Sequence, residues 1–376
     1  MSTLRICLAA RSPFLGGAEV ACERLAVGLV EAGHEVVVLT GFENEVAERF
    51  RLAGLDCRVY DLPMRDKWKL PRYLNSRHRL RKFFRAFQPD IIHSNDLPTH
   101  QIVSSAAVNL NIPRVCHHRF VYDKNAIDWM NRAGAEQHVF VSRYLMETLQ
   151  QASPRLARQT GCVLYDGLPL TTVPSADARL RMRQQLGLPA DKVIVLYAGQ
   201  IVERKGVSDL IKAWSLLAHP VREMAELLIV GDDIQHAGAY RQAMEQLAAE
   251  LGVVAQFKGF RKDVPAWLTA SDLAVVPSRI EPLGNATLEA MAYGLPVIGG
   301  DTGGIPEMIV DNETGWLSPV ADSPALAALL TTAIKNRAER EKMGRNGRQR
   351  CETLFSLQAH VRSAVEVYSS VRVRVE

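Results

Sequence analysis

Residues 273–298 decide the fold: Leu273-Ala274-Val275-Val276-Pro277-Ser278-Arg279-Ile280-Glu281-Pro282-Leu283-Gly284-Asn285-Ala286-Thr287-Leu288-Glu289-Ala290-Met291-Ala292-Tyr293-Gly294-Leu295-Pro296-Val297-Ile298. Leu273–Val276 is a short apolar run stopped by a proline, the signature of a strand buried on both faces. A helical stretch follows, with Asn285 as its predicted cap and Gly294 and Pro296 closing it. Pro296–Ile298 then begins a second apolar run. Strand, loop, helix and strand in so short a compass require a parallel pair with its crossover, the unit of α/β layers.

The same alternation extends in both directions. Leu4–Ala10, Glu35–Thr40, Ile91–His93, Arg114–His117 and His138–Val141 read as buried strands separated by helical patterns. After Pro174 the pattern restarts with Val193–Ala198, Leu227–Val230, Ala255–Gly259, Leu273–Val276 and Pro296–Ile298. Leu168–Ala176, with two prolines and two threonines, is the predicted linker. A chain of 376 residues accommodates two domains of about 150–200 residues. The predicted class is α/β, with two doubly wound Rossmann-like domains, 1–170 and 171–354, facing a cleft, and a final segment 355–376. Ligands of such sheets sit beyond the carboxyl ends of the strands, so the loops there should carry the chemistry.

Hydrophobic residues make up 47% and charged residues 23% of the chain, which excludes a disordered or collagen-like protein. The six cysteines form no C-x-x-C pair, which disfavours a zinc site or a disulfide framework and fits a reducing cytoplasm. No apolar run is long enough to span a membrane, and the opening run breaks at Arg11 and Pro13, too early for a secretory signal. The net charge of +4 is unevenly divided: residues 1–160 hold 22 Lys and Arg against 16 Asp and Glu. Much of this excess lies in residues 65–87, where Arg65, Lys67, Lys69, Arg72, Arg77, Arg79, Arg81, Lys82 and Arg85 face one acidic residue, Asp66. From Leu70 to Phe87 the apolar residues fall on one helical face. Such a helix packs its aromatic face on the domain, and its basic back suits an anionic membrane surface. No nucleic-acid-binding module is present.

Two glutamates, Glu281 and Glu289, straddle the loop and helix start of the opening stretch. Either one alone reads as an acidic residue placed for the helix dipole. Between them, however, the N–H groups of Asn285–Thr287 form a ready anion site. A carboxylate beside it suits a vicinal diol, and the combination fits a sugar nucleotide. The loop after Val193–Ala198 carries Arg204-Lys205, a fork and a point charge for a diphosphate. After the first strand, Gly16-Gly17-Ala18-Glu19 lets backbone approach a ligand closely and is not the dinucleotide pattern G-x-G-x-x-G.

The order and spacing of these pieces resemble a retaining glycosyltransferase of family 4, of the two-domain GT-B fold. The resemblance rests on Gly16-Gly17-Ala18-Glu19, Pro89–His93, Val139–Ser142, Asp166-Gly167, Gly199 with Lys205-Gly206, Ile229–Gly231, Ser271-Asp272, Pro277-Ser278, the Glu281-to-Glu289 pair with Ala290-Met291-Ala292, Gly294–Val297, Gly303-Gly304 and Gly315. These pieces cover nearly the whole chain, and the glutamate-pair segment is highly specific to this group. The resemblance implies that the C-terminal domain binds the nucleotide sugar and the N-terminal domain the acceptor. Phe355–Val371 would be the last helix, crossing back onto the first domain. Glu281 would contact the transferred sugar and Glu289 the ribose. Arg204 and Lys205 would bind the diphosphate, with backbone at Gly16, Gly17, Leu283, Gly284, Asn285 and Ala286 completing the cradle. No metal or cofactor is implied, since the Arg-Lys pair supplies the charge.

Three positions depart from the family pattern. Gln200 stands where many members have arginine, Asp166 where asparagine is usual, and Arg119 where counting from Pro113 places the family histidine. Either His118 takes that role by a one-residue shift or Arg119 replaces it, and the two would share a sugar-side contact. His117 reads as a satisfied core histidine. The expected function is retaining, metal-independent transfer of a sugar from a nucleotide-diphosphate sugar, UDP-sugar favoured, to a hydroxyl on a lipid-linked, lipopolysaccharide or surface-polysaccharide acceptor. The expected location is the cytoplasm, peripheral to the inner face of the membrane. A nucleotide-sugar epimerase and a non-catalytic scaffold subunit are the alternatives.

Overall fold

In the computed structural model, which describes residues 3–66, 68–233 and 237–373, the chain divides into two compact units. One comprises Met1–Pro169 with Phe355–Glu376, the other Leu170–Leu354. Lys67 of the basic stretch lies outside the described residues.

The first unit is a seven-stranded sheet of β1 (Arg5–Ala10), β2 (Glu35–Thr40), β3 (Asp56–Val59), β4 (Ile91–Ser94), β5 (Arg114–His118), β6 (Gln137–Phe140) and β7 (Gly161–Val163). All pairings are parallel, in the order β3-β2-β1-β4-β5-β6-β7. The chain starts in the middle of the sheet, builds outward through β2 and β3, and returns to build the other side. The order therefore reverses between β1 and β4, and this is where a doubly wound sheet leaves room for a ligand. The helix Gly17–Glu31 covers one face, joined there by the last helix, Leu357–Val373. Leu357, Val361, Ala364, Val365 and Tyr368 enter the same core as Cys22, Leu25 and Leu29, which fixes the chain's end onto this unit. The helix Leu70–Phe87 covers the other face and buries Tyr73, Leu80, Phe83, Phe84 and Phe87 against β1, β2 and β4 residues.

The second unit repeats the plan with six strands: β8 (Val193–Ala198), β9 (Ala225–Val230), β10 (Ala255–Gly259), β11 (Leu273–Val276), β12 (Val297–Gly300) and β13 (Trp316–Ser318). The order is β10-β9-β8-β11-β12-β13, again parallel, with the reversal between β8 and β11. The predicted α/β class with two doubly wound sheets holds. Three short strands, β3, β7 and β13, have no counterpart among the predicted runs. Among the described residues no helix is long and apolar enough to cross a membrane.

Candidate functional site

In the second unit the loops leaving β8 and β11, the two strands at the reversal, are bound to each other. After β8 the chain makes a short turn over Glu203–Lys205 and enters the helix Val207–Ser215 through Gly206 at φ +69°. A side chain at 206 would meet the Pro277 carbonyl at 1.9 Å, so only glycine allows the two loops to approach this closely. The Arg204 carbonyl accepts the N–H groups of Arg279 at 2.8 Å and Ile280 at 3.3 Å. Arg279 in turn forks onto Asp209, both bonds 2.7 Å, and so anchors the β11 loop to the helix after β8.

This scaffold presents Glu281. Its backbone carbonyl accepts from Gly304 N at 3.0 Å, and a side chain at Gly303, φ +61°, would collide with that carbonyl at 1.7 Å. Its carboxylate, buried, is ion-paired with Lys205 Nζ and accepts from Ser278 Oγ at 3.3 Å. Two of the residues singled out in the sequence, 76 apart, are thus in direct contact. Arg204 is exposed, and its guanidinium donates to Gln200 Oε1 at 3.2 Å. Gln200, which stands where many family members have arginine, therefore orients the arginine four residues after it.

The helix after this loop is Asn285–Ala292, and its start differs from expectation. Gly284, at φ +107°, is the cap, and Asn285 is the first helical residue. The left-handed conformation at 284 re-aims the chain after Leu283, so that Glu281 and the helix N-terminus can follow each other within a few residues. Thr287 N closes onto the Gly284 carbonyl at 2.8 Å. Leu283 and Gly284 are buried, Asn285 and Ala286 half-buried, and Glu289 lies half-buried on the second turn.

In the first unit Gly16 caps the helix Gly17–Glu31, and its N–H donates to Glu19 Oε2 at 3.0 Å. That N–H closes the turn. The loop before it is braced by Asn44 Nδ2, which donates to the carbonyls of Ser12 at 3.2 Å and Pro13 at 3.1 Å.

His118 is the last residue of β5 and Arg119 directly follows it, and their side chains go to different places, as successive residues of an extended chain do. His118 is buried, stacks on Phe140 with centroids 4.6 Å apart, and bonds His138 Nδ1 through Nε2 at 2.9 Å. Burial drives its pKa well below the ordinary imidazole value, with His138 and His100 adding to the effect. Cys116, His118 and His138 bring one ligand-type atom each within 4.8 Å of one another, all of them buried. Arg119 is buried as well, and its fork is occupied. Nη1 donates to Asp166 Oδ1 at 2.7 Å and Oδ2 at 2.9 Å, Nε to Asn95 Oδ1 at 2.8 Å, and Nη2 to His117 Nδ1 at 3.3 Å. The structure thus does not bring the two residues together as a shared sugar contact. Asn95, Arg279 and Asp209 were not picked out in the sequence, and Ser278 only as part of the family resemblance; Asn95 directly follows β4, where strand-end position was the available signal.

The chain was compared with known proteins. Residues 16–199 match the family described as glycosyl transferase 4-like domain, and residues 178–350 match glycosyl transferases group 1. The D-inositol 3-phosphate glycosyltransferase of Streptomyces avermitilis is 30% identical over 215 residues, 55% of this chain and 46% of that one. The chain therefore aligns with about half of that relative's length. An uncharacterised glycosyltransferase of Methanocaldococcus jannaschii is 26% identical over 379 residues, covering 94% of both chains. The structure of Anabaena HepE in complex with UDP and glucose matches with a TM-score of 0.84, covering 98% of this chain and all of that one at 22% identity. At that identity the likeness is one of fold.

Proposed function

Given that the chain is a glycosyltransferase of the GT-B fold, we propose that it moves a sugar, with retention and without a metal, from a UDP-sugar to an acceptor hydroxyl. The observation that carries this reading is the gathering of Lys205, Arg204 and Glu281 on two mutually bonded loops at the β8–β11 reversal. Departure of a nucleotide diphosphate from a sugar needs positive charge where the phosphate oxygen becomes anionic, more than it needs a strong base. Lys205 and Arg204 supply that charge. Backbone N–H groups at the start of Asn285–Ala292 extend it, and Glu289 takes the ribose hydroxyls. Glu281 holds hydroxyls of the transferred sugar, its carboxylate kept in place by Lys205 and Ser278. The first unit takes the acceptor and offers the Gly16–Gly17 turn to the diphosphate. Uridine is favoured because it is common in the family resembled, and HepE, one of the structural neighbours, was solved with UDP and glucose.

In the reaction the acceptor oxygen bonds to the anomeric carbon on the face from which the diphosphate leaves. The anomeric carbon–oxygen bond to phosphate breaks, and the departing phosphate oxygen takes the acceptor's proton. Positioning and preorganised charge provide the acceleration. A product with inverted anomeric configuration would refute this route.

The test is thermal unfolding with UDP, GDP or ADP, on wild type and Glu289→Ala. A ligand at 100 times its dissociation constant adds about 2.7 kcal/mol, a clear rise in midpoint. UDP is expected to stabilise wild type and not the variant. No shift with any of the three would remove the donor-site reading.

The acceptor is proposed to be lipid-linked, a lipopolysaccharide or a surface polysaccharide, met at the cytoplasmic face of the membrane. Support comes from the helix Leu70–Phe87, which turns Arg72, Arg77, Arg79, Lys82 and Arg85 outward. At its N-terminal end Trp68, Leu70 and Leu74 are exposed at 82%, 38% and 44%, beside Arg65 and Lys69. Apolar side chains framed by cations match a headgroup boundary. Flotation with anionic vesicles but not with neutral ones is expected; equal behaviour with both would rule the membrane out.

A further inference from the structure

Two of the three departures from the family pattern prove to be each other's partner. Asp166 and Arg119, 47 residues apart, form a buried two-oxygen ion pair, each side chain only 3% exposed. A pair so thoroughly removed from water is a poor source of stability by itself, because desolvation cancels much of the attraction. What it does is fix a direction. A guanidinium can only donate, so the groups around Arg119 are forced to accept from it. Asn95 must turn its carbonyl oxygen toward Arg119 Nε, and its amide nitrogen then faces the other way, where it donates to the Ala18 carbonyl at 3.1 Å. Ala18 is in the first turn of the helix capped by Gly16. His117 Nδ1 must accept as well, so His93 Nε2, 3.2 Å away, is the donor between them, and His93 Nδ1 accepts the Tyr368 hydroxyl at 2.6 Å. One arginine thereby sets hydrogen-bond polarity from the last helix to the glycine turn.

We propose that Arg119 is a positioning residue: anchored by Asp166, it orients Asn95 so that the Asn95 amide holds the glycine turn, Gly16-Gly17-Ala18, at the reversal between β1 and β4. The proposal rests on the reading above only in taking this turn as the part of the first unit that meets the diphosphate. The ordering of the turn itself is independent of that reading. Asp166 also immediately precedes Gly167 and Leu168, and Leu168 pairs with the returning chain: its N–H donates to the Phe355 carbonyl at 2.9 Å, and its carbonyl accepts from Leu357 N at 2.8 Å. The same ion pair therefore ties the glycine turn to both points where the chain leaves and re-enters the first unit.

The experiment is amide hydrogen exchange on the full chain, without ligand and with UDP, for wild type, Arg119→Lys, Asn95→Ala and the double variant. Lysine keeps the charge but cannot donate in a fork to Asp166 and Asn95 together. Exchange over residues 16–20 should quicken by about five- to tenfold in each single variant, the scale of one lost amide–carbonyl hydrogen bond. The double variant should be no faster than either single one, because both changes cut the same line. Residues 36–39, in β2, should be unaffected. An unchanged turn in Arg119→Lys would overturn the proposal, and so would equal quickening of the turn and of β2, which is global loosening. Should Arg119→Lys not fold, Asn95→Ala alone makes the same distinction. In wild type UDP should protect the turn and in the variants it should protect less. A turn that loosens in the variants yet is never protected by UDP would leave the positioning role standing and refute its use toward the donor.

Discussion

Within the first unit His93, His100, His117, His118 and His138 are all buried, together with His360 of the last helix. In the second unit the one described histidine, His219, is exposed. The two sheets share a plan, but one encloses imidazoles, an ion pair and an asparagine relay, and the other an apolar core of valine, leucine, isoleucine and two tryptophans, Trp214 and Trp316. The charged groups proposed to meet a ligand in the second unit, Arg204, Lys205 and Glu281, are on loops, whereas Arg119 and Asp166 of the first are inside and meet each other. A shared plan thus leaves the chemistry of a unit open, and the interior polarity decides how the unit responds to its surroundings.

The sharpest way to break this comparison is acid. Burial pushes the pKa of His93 and His138 down to about 3 and that of His100 and His360 to about 4, and holds His117 and His118 well below the usual value. The Arg119 guanidinium adds to the depression at His93 and His117. Between about 6.5 and 4 the unfolded chain binds protons that the folded unit refuses, so stability falls as pH falls through that window. Asp96 works in the opposite direction. Burial raises it to about 6, so its folded form takes up a proton first and gains on acidification, but it is one group against six. The first unit should therefore unfold between pH 6 and 4 (roughly, from these shifts) while the second persists. Circular dichroism should lose signal while tryptophan emission, dominated by the buried Trp214, Trp267 and Trp316, stays blue. Simultaneous loss of both signals would sink the distinction.

The second effect is on chemistry, and it is confined to the second unit. Lys205→Ala removes the cation paired with Glu281 and should lower the turnover number by about 10²–10³, the cost of losing one preorganised charge-stabilising donor. Stability should fall as well, because the buried Glu281 carboxylate loses its cation and keeps the Ser278 hydroxyl, while the Gly304 N–H still holds the Glu281 backbone. Turnover within threefold of wild type (roughly a 0.7 kcal/mol effect) would show that Lys205 serves the loop and not the reaction.

What the sequence disclosed follows the same division. Strands β1, β2, β4, β5 and β6, and β8, β9, β11 and β12, are largely buried runs, and they were readable because burial on both faces imposes composition; β10, half-buried throughout with Gln256 and Lys258 in it, is the exception. β3 alternates charged residues with half-buried ones, and β7 and β13 are three residues long, too short to show a period. At the candidate site, Arg204, Lys205, Glu281 and Glu289 stood out because each lies in a local pattern of strand end, loop and helix start. The left-handed cap at Gly284 did not, since asparagine beside it is the commoner cap. Arg119 with Asp166 was invisible for a different reason. Both residues were noticed, each as an isolated oddity, but nothing local tells a reader that the ends of β5 and the chain after β7 converge. Pairing across a sheet is a property of topology, and the buried polar interior of the first unit is made of such pairs.

The smallest expected effect compares two ion pairs of the first unit. Arg72 forks onto Asp61 at 2.8 and 2.6 Å, a geometry as good as that of Arg119 on Asp166, but the side chains of Arg72 and Asp61 are 58% and 34% exposed against 3% each in the buried pair. Water and salt screen the outer pair, so Arg72→Ala should cost well under about 1 kcal/mol in chemical denaturation. Asp61 also retains the Ser76 hydroxyl at 2.9 Å. The same substitution removes one charge from the basic face, and there the expected cost is about 1 kcal/mol, roughly a fivefold loss of partition onto anionic vesicles. A variant that unfolds at the wild-type denaturant concentration but binds vesicles more weakly would assign the outer arginine to the surface it faces. A stability loss as large as that of a buried charge left unpaired, about 3–5 kcal/mol, would instead mean that burial is not what separates the two pairs.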